Sequence, residues 1–153
     1  MPNYKKHIAG GFASYLILLF LLIKSYNPSL ITSLQWLLST VIGSLFPDID
    51  TKSKFQKFFY FSLLIIFIFL TLKNNSELLI LLSFLGLIPL VVNHRGIFHK
   101  LWFILLLIAI TLFLTNLYAP DKIEFIGLNL LFFLIGTISH LWLDLGIKKM
   151  LRI

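Results

Sequence analysis

Six long apolar runs, separated by short polar or charged segments, dominate the chain. They are Ile8–Ile23, Ser29–Phe46, Phe58–Leu72, Leu78–Val92, Leu101–Tyr118 and Phe125–Leu143. A helix needs about 20 residues, within a range of about 17 to 25, to cross the hydrocarbon core of a bilayer. The third and fourth runs are slightly shorter, but flanking lysines can extend them by reaching the interface. The pattern therefore predicts an all-α, polytopic membrane bundle of about six transmembrane helices.

The composition agrees with a membrane protein. The 153 residues are 59% hydrophobic and 12% charged, with a mean hydropathy of +0.97. A soluble domain would carry about twice that charged fraction, so a soluble globular protein is excluded. The predicted spans leave no room for a separate soluble domain, and we expect residues 1–153 to form a single integral membrane domain. Because the chain has no cysteine, a disulfide scaffold, a thiolate metal site and a cysteine nucleophile are also excluded.

The basic residues fall unevenly on the two sides of the predicted membrane. One side carries ten of them: Lys5, Lys6, Lys52, Lys54, Lys57, Arg95, Lys100, Lys148, Lys149 and Arg152. The other side carries three: Lys24, Lys73 and Lys122. The positive-inside rule makes the ten-residue side cytoplasmic, so both termini are expected in the cytoplasm. The formal charge of +7 follows from these loops, so the expected partner is the lipid bilayer and no nucleic-acid partner is expected.

In this topology seven residues with metal-ligating side chains lie at the cytoplasmic helix ends. They are His7, Asp48, Asp50, His94, His99, His140 and Asp144. Ionisable groups at membrane depth are costly and mark functional sites. His140 and Asp144 are four residues apart and share a helix face, and Gly96 lets the segment between His94 and His99 turn back. We therefore expect these side chains to converge on one site.

The donor types indicate which metal such a site would hold. Imidazole together with carboxylate suits Zn, Mn or Fe better than Ca or Mg, and we expect Zn or Mn. Seven candidates exceed the four ligands of a structural zinc site. Two ions can therefore be accommodated, or one ion whose histidine ligands are oriented by carboxylates. We expect Asp144 to orient His140 in this way, and Asp50 to serve as a ligand or base.

Small residues predict which helices approach closely. Tight packing in membranes uses glycine and other small residues, which occur in helices one, two, four and six at Gly10, Gly11, Gly43, Gly86 and Gly136. The third and fifth helices are bulky throughout their middles. We therefore expect helices one, two, four and six to form the core.

Four motifs carry a resemblance to a known family. In chain order they are KHIAGG, GSLFPDID, HRGIFHK and SHLWLDLG. The combination resembles the YdjM family of inner-membrane, predicted metal-dependent hydrolases over nearly the whole chain. The resemblance implies an inner-membrane location and metal-site or catalytic roles for all seven candidate residues, with Arg95 accompanying them. One flanking difference is Lys100, where the family often has a small polar residue.

These observations favour a membrane-bound metal-dependent hydrolase acting at the cytoplasmic interface. A phosphoester or other ester of a lipid-like substrate fits a site at that depth, and Arg95 would bind a phosphate or carboxylate oxygen. Asp50 and Asp144 are the expected catalytic carboxylates, since a hydrolytic water needs a base or an orienting carboxylate. A metal or ion transporter is disfavoured because the helix middles lack charge. A scaffold whose metal only staples the helix ends stays open, as does the oligomeric state.

Overall fold

A computed structural model describes residues 3–74, 76–91 and 96–150 of the chain. Within these ranges the elements are six α-helices and three short 3₁₀ turns. The helices are α1 (Tyr4–Tyr26), α2 (Leu30–Leu45), α3 (Lys54–Leu72), α4 (Ser76–Val91), α5 (Leu101–Tyr118) and α6 (Ile123–Met150). The 3₁₀ turns are Phe46–Asp50, Ile97–His99 and Pro120–Lys122. No strand occurs in the described part of the chain, and the predicted all-α fold is confirmed.

Five helical segments among the described residues are long and apolar enough to cross a membrane. They are Tyr4–Tyr26, Leu30–Asp50, Lys54–Leu72, Leu101–Tyr118 and Pro120–Gly146. Helix α4 has 16 residues. At 1.5 Å per residue it is about 24 Å long, shorter than a hydrocarbon core of about 30 Å. It borders residues 92–95, which lie outside the described ranges, so the sixth span stays a prediction.

The chain divides into two compact units. The first unit comprises Met1–Pro47 and His99–Ile153, and the second unit comprises Asp48–Phe98. The first unit therefore contains α1, α2, α5 and α6, and the second contains α3 and α4. The single membrane domain expected from the sequence stays a prediction.

In the first unit, α6 is the central helix. Helices α1, α2 and α5 all pack against α6, and α1 also packs against α2. Tyr15, Trp36 and Phe132, one from each of α1, α2 and α6, form a buried apolar cluster. The Trp36 and Phe132 rings stack with their centroids 4.8 Å apart. This cluster of three aromatic residues packs α1, α2 and α6 against one another.

Glycines bring α2 and α6 into backbone contact. A Cβ at Gly43 would collide with the backbone of Phe133, and one at Gly136 would collide with the Thr40 carbonyl. Thr137 Oγ1 donates a hydrogen bond of 3.1 Å to the Gly43 carbonyl across the same interface. The expected close approach of helices one, two and six is confirmed, and it sets the register between the ends of α2 and α6.

The second unit pairs α3 with α4. Tyr60 donates from its hydroxyl to the Gly86 carbonyl at 2.8 Å, and the Leu63 side chain lies where a Cβ on Gly86 would stand. Gly86 of α4 therefore makes room for a large side chain of α3. The prediction that helix four joins helices one, two and six in the core stays a prediction.

Candidate metal centre

Four ionisable side chains of the first unit meet at one end of its helices. His7 lies in the first turns of α1, His99 closes the 3₁₀ turn before α5, and His140 and Asp144 lie on successive turns near the end of α6. Just beyond them Gly146 has a φ of 69°, which interrupts the helix. We call these four residues the histidine–aspartate cluster. The expected convergence of candidate ligands is confirmed for these residues of the first unit.

The cluster is buried and centres on the Asp144 carboxylate, which is 4% exposed. Oδ1 of Asp144 lies 3.3 Å from Nε2 of His7. Oδ2 lies 3.9 Å from Nε2 of His99 and 3.8 Å from Nε2 of His140. The two longer separations exceed the roughly 2.7–3.2 Å of N–H···O hydrogen bonds. Two ligands bound to one tetrahedral zinc ion at about 2.0–2.1 Å would be about 3.4 Å apart, so the spacing suits metal ligands.

The donor set also fits a transition metal. His99, His140 and Asp144 each offer a ligand atom, and these atoms lie within 4.8 Å of one another. Two imidazole nitrogens and a carboxylate oxygen form the mixed set preferred by Zn and by other first-row transition metals. These three residues can therefore hold a metal ion.

A backbone carbonyl orients His140. Its Nδ1–H donates to the Ser44 carbonyl at 2.8 Å, and because a carbonyl only accepts, Nδ1 must carry the proton. In the neutral ring Nε2 then presents its lone pair toward Asp144. Oδ2 of Asp144 lies 3.8 Å from Nε2 of the same ring, and the expectation that Asp144 also orients His140 stays a prediction. A main-chain carbonyl leaves no side-chain signal in the sequence, so the orienting role of Ser44 could not be predicted from the sequence.

The three histidine rings are arranged unequally. The rings of His7 and His140 stack nearly parallel, with centroids 3.9 Å apart and an interplanar angle of 19°. The rings of His99 and His140 meet edge to face, with centroids 5.5 Å apart and an angle of 68°. His7 and His140 are 1% and 0% exposed, respectively. Protein atoms therefore surround the rings of His7 and His140 almost completely.

The other predicted site residues have different placements. Asp48 and Asp50 lie in the 3₁₀ turn Phe46–Asp50, within the second unit. The hydroxyls of Thr51 and Ser53 donate to the Asp48 backbone carbonyl at 2.8 Å and 3.1 Å and fix the turn. The metal and catalytic roles of Asp48 and Asp50 stay predictions.

His94 and Arg95 lie outside the described residues. Their roles, as metal ligand and as substrate-binding cation, stay predictions. The catalytic role of Asp144 likewise stays a prediction, although its position among the three histidines is now established.

Sequence comparison decides the family. The sequence model of the YdjM inner membrane protein family matches residues 1–149. The chain belongs to this family. Comparisons with curated proteins and with solved structures gave no match. Together with the five candidate spans, membership of the YdjM family gives the protein a multi-pass location in the inner membrane.

Proposed function

We propose that this YdjM family protein is a metal-dependent hydrolase that acts at the cytoplasmic membrane interface on a phosphoester or other ester of a lipid-like substrate. The observation that carries the proposal is the buried histidine–aspartate cluster, with its nitrogen and oxygen atoms at separations of 3.3 Å to 3.9 Å. Burying several ionisable groups in a membrane protein is costly. A bound cation would offset that cost.

His99, His140 and Asp144 would hold the metal, and Asp48 and His94 are the further ligands that we propose from the sequence. A bound divalent metal polarises an ester oxygen and lowers the pKa of bound water toward about 7. The Ser44 carbonyl keeps the proton of His140 on Nδ1, so that Nε2 remains a lone-pair donor. Asp50 would accept a proton from water, and Arg95 would bind a phosphate oxygen of the substrate through its guanidinium.

An apolar groove between two helices that carry cluster residues supports a lipid-like substrate. It has a volume of about 220 Å³ and lies between α1 and α6, with Ile17, Leu21 and Ile138 among its apolar lining residues. Ser139 lines the groove and directly precedes His140 in the chain. An acyl chain in the groove would therefore lie along the helix that carries His140 and Asp144.

The basic side of the membrane supports an anionic head group. Ten of the 13 basic residues belong to the side on which the cluster residues lie in the predicted topology. That side is the cytoplasmic one by the positive-inside rule. A phosphoester head group would be attracted to it.

The proposal is tested by measuring metal content and hydrolysis side by side. Purified wild-type protein should contain a transition metal and hydrolyse a lipid phosphoester in mixed micelles. Asp48→Asn, Asp50→Asn and Asp144→Asn are compared with it, and we expect at least one variant to keep its metal and lose its rate. Asp121→Asn is the matched control, because Asp121 is exposed in the 3₁₀ turn that precedes α6.

Two outcomes would contradict the proposal that the protein is a metal-dependent hydrolase. Wild-type protein without metal, and unable to take up Zn or Mn on reconstitution, would remove the metal centre altogether. Metal in every variant, with no hydrolysis by any of them, would favour the scaffold. The structure offers that alternative a specific basis, because the cluster connects the end of α6 with the start of α1 and with the turn before α5.

A further inference from the structure

The two oxygens of the Asp144 carboxylate face different histidines. Oδ1 lies 3.3 Å from Nε2 of His7. Oδ2 lies 3.8 Å from Nε2 of His140 and 3.9 Å from Nε2 of His99. The carboxylate therefore divides the histidine–aspartate cluster into one part with a single imidazole and another part with two.

Ring geometry shows which histidines can share an ion. Two imidazoles bound through Nε2 to one tetrahedral ion, with metal–nitrogen bonds of about 2.0–2.1 Å, have ring centroids about 5 Å apart. The His99 and His140 rings, 5.5 Å apart at 68°, are close to that arrangement. The His7 and His140 rings are not, because they stack at 3.9 Å and 19°. Nearly parallel rings direct their nitrogens side by side, toward neighbouring positions.

We propose that Asp144 bridges two divalent transition-metal ions. One ion is held by His99, His140 and Oδ2 of Asp144, and the second by His7 and Oδ1 of Asp144. The inference rests on the metal centre of the proposed function and adds a second ion to it. Sites with two metals about 3.5–4 Å apart are typical of enzymes that displace groups at phosphorus. A second ion would thus favour phosphoesters among the substrates of the proposed function.

Manganese binding tests the second ion without any activity assay. Wild-type protein, stripped with chelator and titrated with Mn²⁺ in detergent, should bind two ions per chain at saturation. The EPR spectrum of the loaded protein should show the exchange coupling of a manganese pair. His7→Phe should bind one ion and give the uncoupled six-line spectrum, because phenylalanine keeps the stack on His140 but supplies no ligand. Lys6→Ala is the matched control, since Lys6 is exposed on the same helical turn and should leave both ions in place.

The bridging carboxylate has its own test. Asp144→Glu keeps two oxygens and should retain some exchange coupling, whereas Asp144→Asn should abolish it. The helical content of each variant is measured by far-UV circular dichroism to check that it folds. If His7→Phe does not fold, His7→Ala is used in its place.

The remaining outcomes separate this inference from the proposed function. Wild-type protein that binds one Mn²⁺, with no change in His7→Phe, overturns the second ion but leaves the first metal centre standing. Loss of both ions from folded His7→Phe and His7→Ala overturns the assignment of His7 to an ion of its own. Wild-type protein that binds no Mn²⁺ or Zn²⁺ removes both the inference and the metal-dependent hydrolase.

Discussion

His140 is the most constrained residue of the cluster. Its ring is fully buried, donates to the Ser44 carbonyl, stacks on His7 and faces Asp144 at 3.8 Å. Each contact fixes a different degree of freedom of the ring, and together they leave Nε2 directed at the carboxylate. A ligand that is already oriented loses little further freedom when it binds a metal.

Removing this ring should therefore weaken metal binding strongly. We expect His140→Ala to lower metal affinity by at least about tenfold, since loss of even a residue that only orients a ligand costs about that much. Competition with a chromogenic chelator measures the affinity. Trp142→Ala is the matched control, because Trp142 lies two residues along α6 and its side chain is 57% exposed. Equal affinities in the two variants would place His140 outside the metal centre.

At the level of elements, the contact between α2 and α6 positions the site. Gly43 and Gly136 allow the two backbones to touch, and Thr137 bonds across them. The carbonyl of Ser44, the residue after Gly43, then meets the ring of His140. The orientation of the His140 ring at the end of α6 thus depends on packing within about one helical turn of the site on both helices.

Adding one methyl group to this interface should separate the helices. The Cβ of Gly136→Ala would collide with the backbone of Thr40, and such overpacking costs about 1–3 kcal/mol. We expect a lower unfolding temperature in detergent together with weaker metal binding.

The same helix offers a matched control for this substitution. A Cβ at Gly127 would have only Leu112 nearby, at 3.8 Å. Gly127→Ala should be neutral or stabilising, by up to about 1 kcal/mol from helix propensity. Identical thermal unfolding curves for the two alanine variants would contradict the role of the α2–α6 contact.

At the scale of the whole molecule, the number of spans decides the side on which the C-terminus lies. The count of ten basic residues against three holds for six spans, so it predicts that α4, with its 16 residues, is one of them. In the sequence, Lys73 and Lys100 flank the fourth apolar run, and side chains of this kind can reach the interfaces and extend a slightly short span.

Reporter fusions test this topology. We expect reporters fused ahead of Met1 and after Ile153 to respond as cytoplasmic, and one inserted at Asn74 as periplasmic. The physical reason is the positive-inside rule. Fusions after Lys24 and within the Pro120–Lys122 turn supply the internal controls and should both be periplasmic. A periplasmic C-terminus with a cytoplasmic N-terminus would mean that α4 does not cross.

The sequence alone determined the class of protein and the set of candidate ligands. Apolar runs of membrane length allow few structures other than helices, because backbone groups in lipid must bond within their own segment. The four-residue spacing of His140 and Asp144 placed them on one face by helical geometry. The small residues of helices one, two and six likewise predicted the close contacts at Gly43 and Gly136. Each of these features depends on residues close together in the sequence, so rules for single helices predicted them correctly.

Only the tertiary structure decided how the ligands are arranged. The carbonyl of Ser44 orients His140 because α2 and α6 touch, and a carbonyl is present in every residue, so composition cannot single one out. The grouping of α4 with α3 was missed for a similar reason, since a glycine predicts a close neighbour but not which helix it is. The division of Asp144 between His7 and the other two histidines also depends on packing between α1, α6 and the turn before α5. Long-range contacts of this kind leave no periodicity in the chain, and folding alone brings them together.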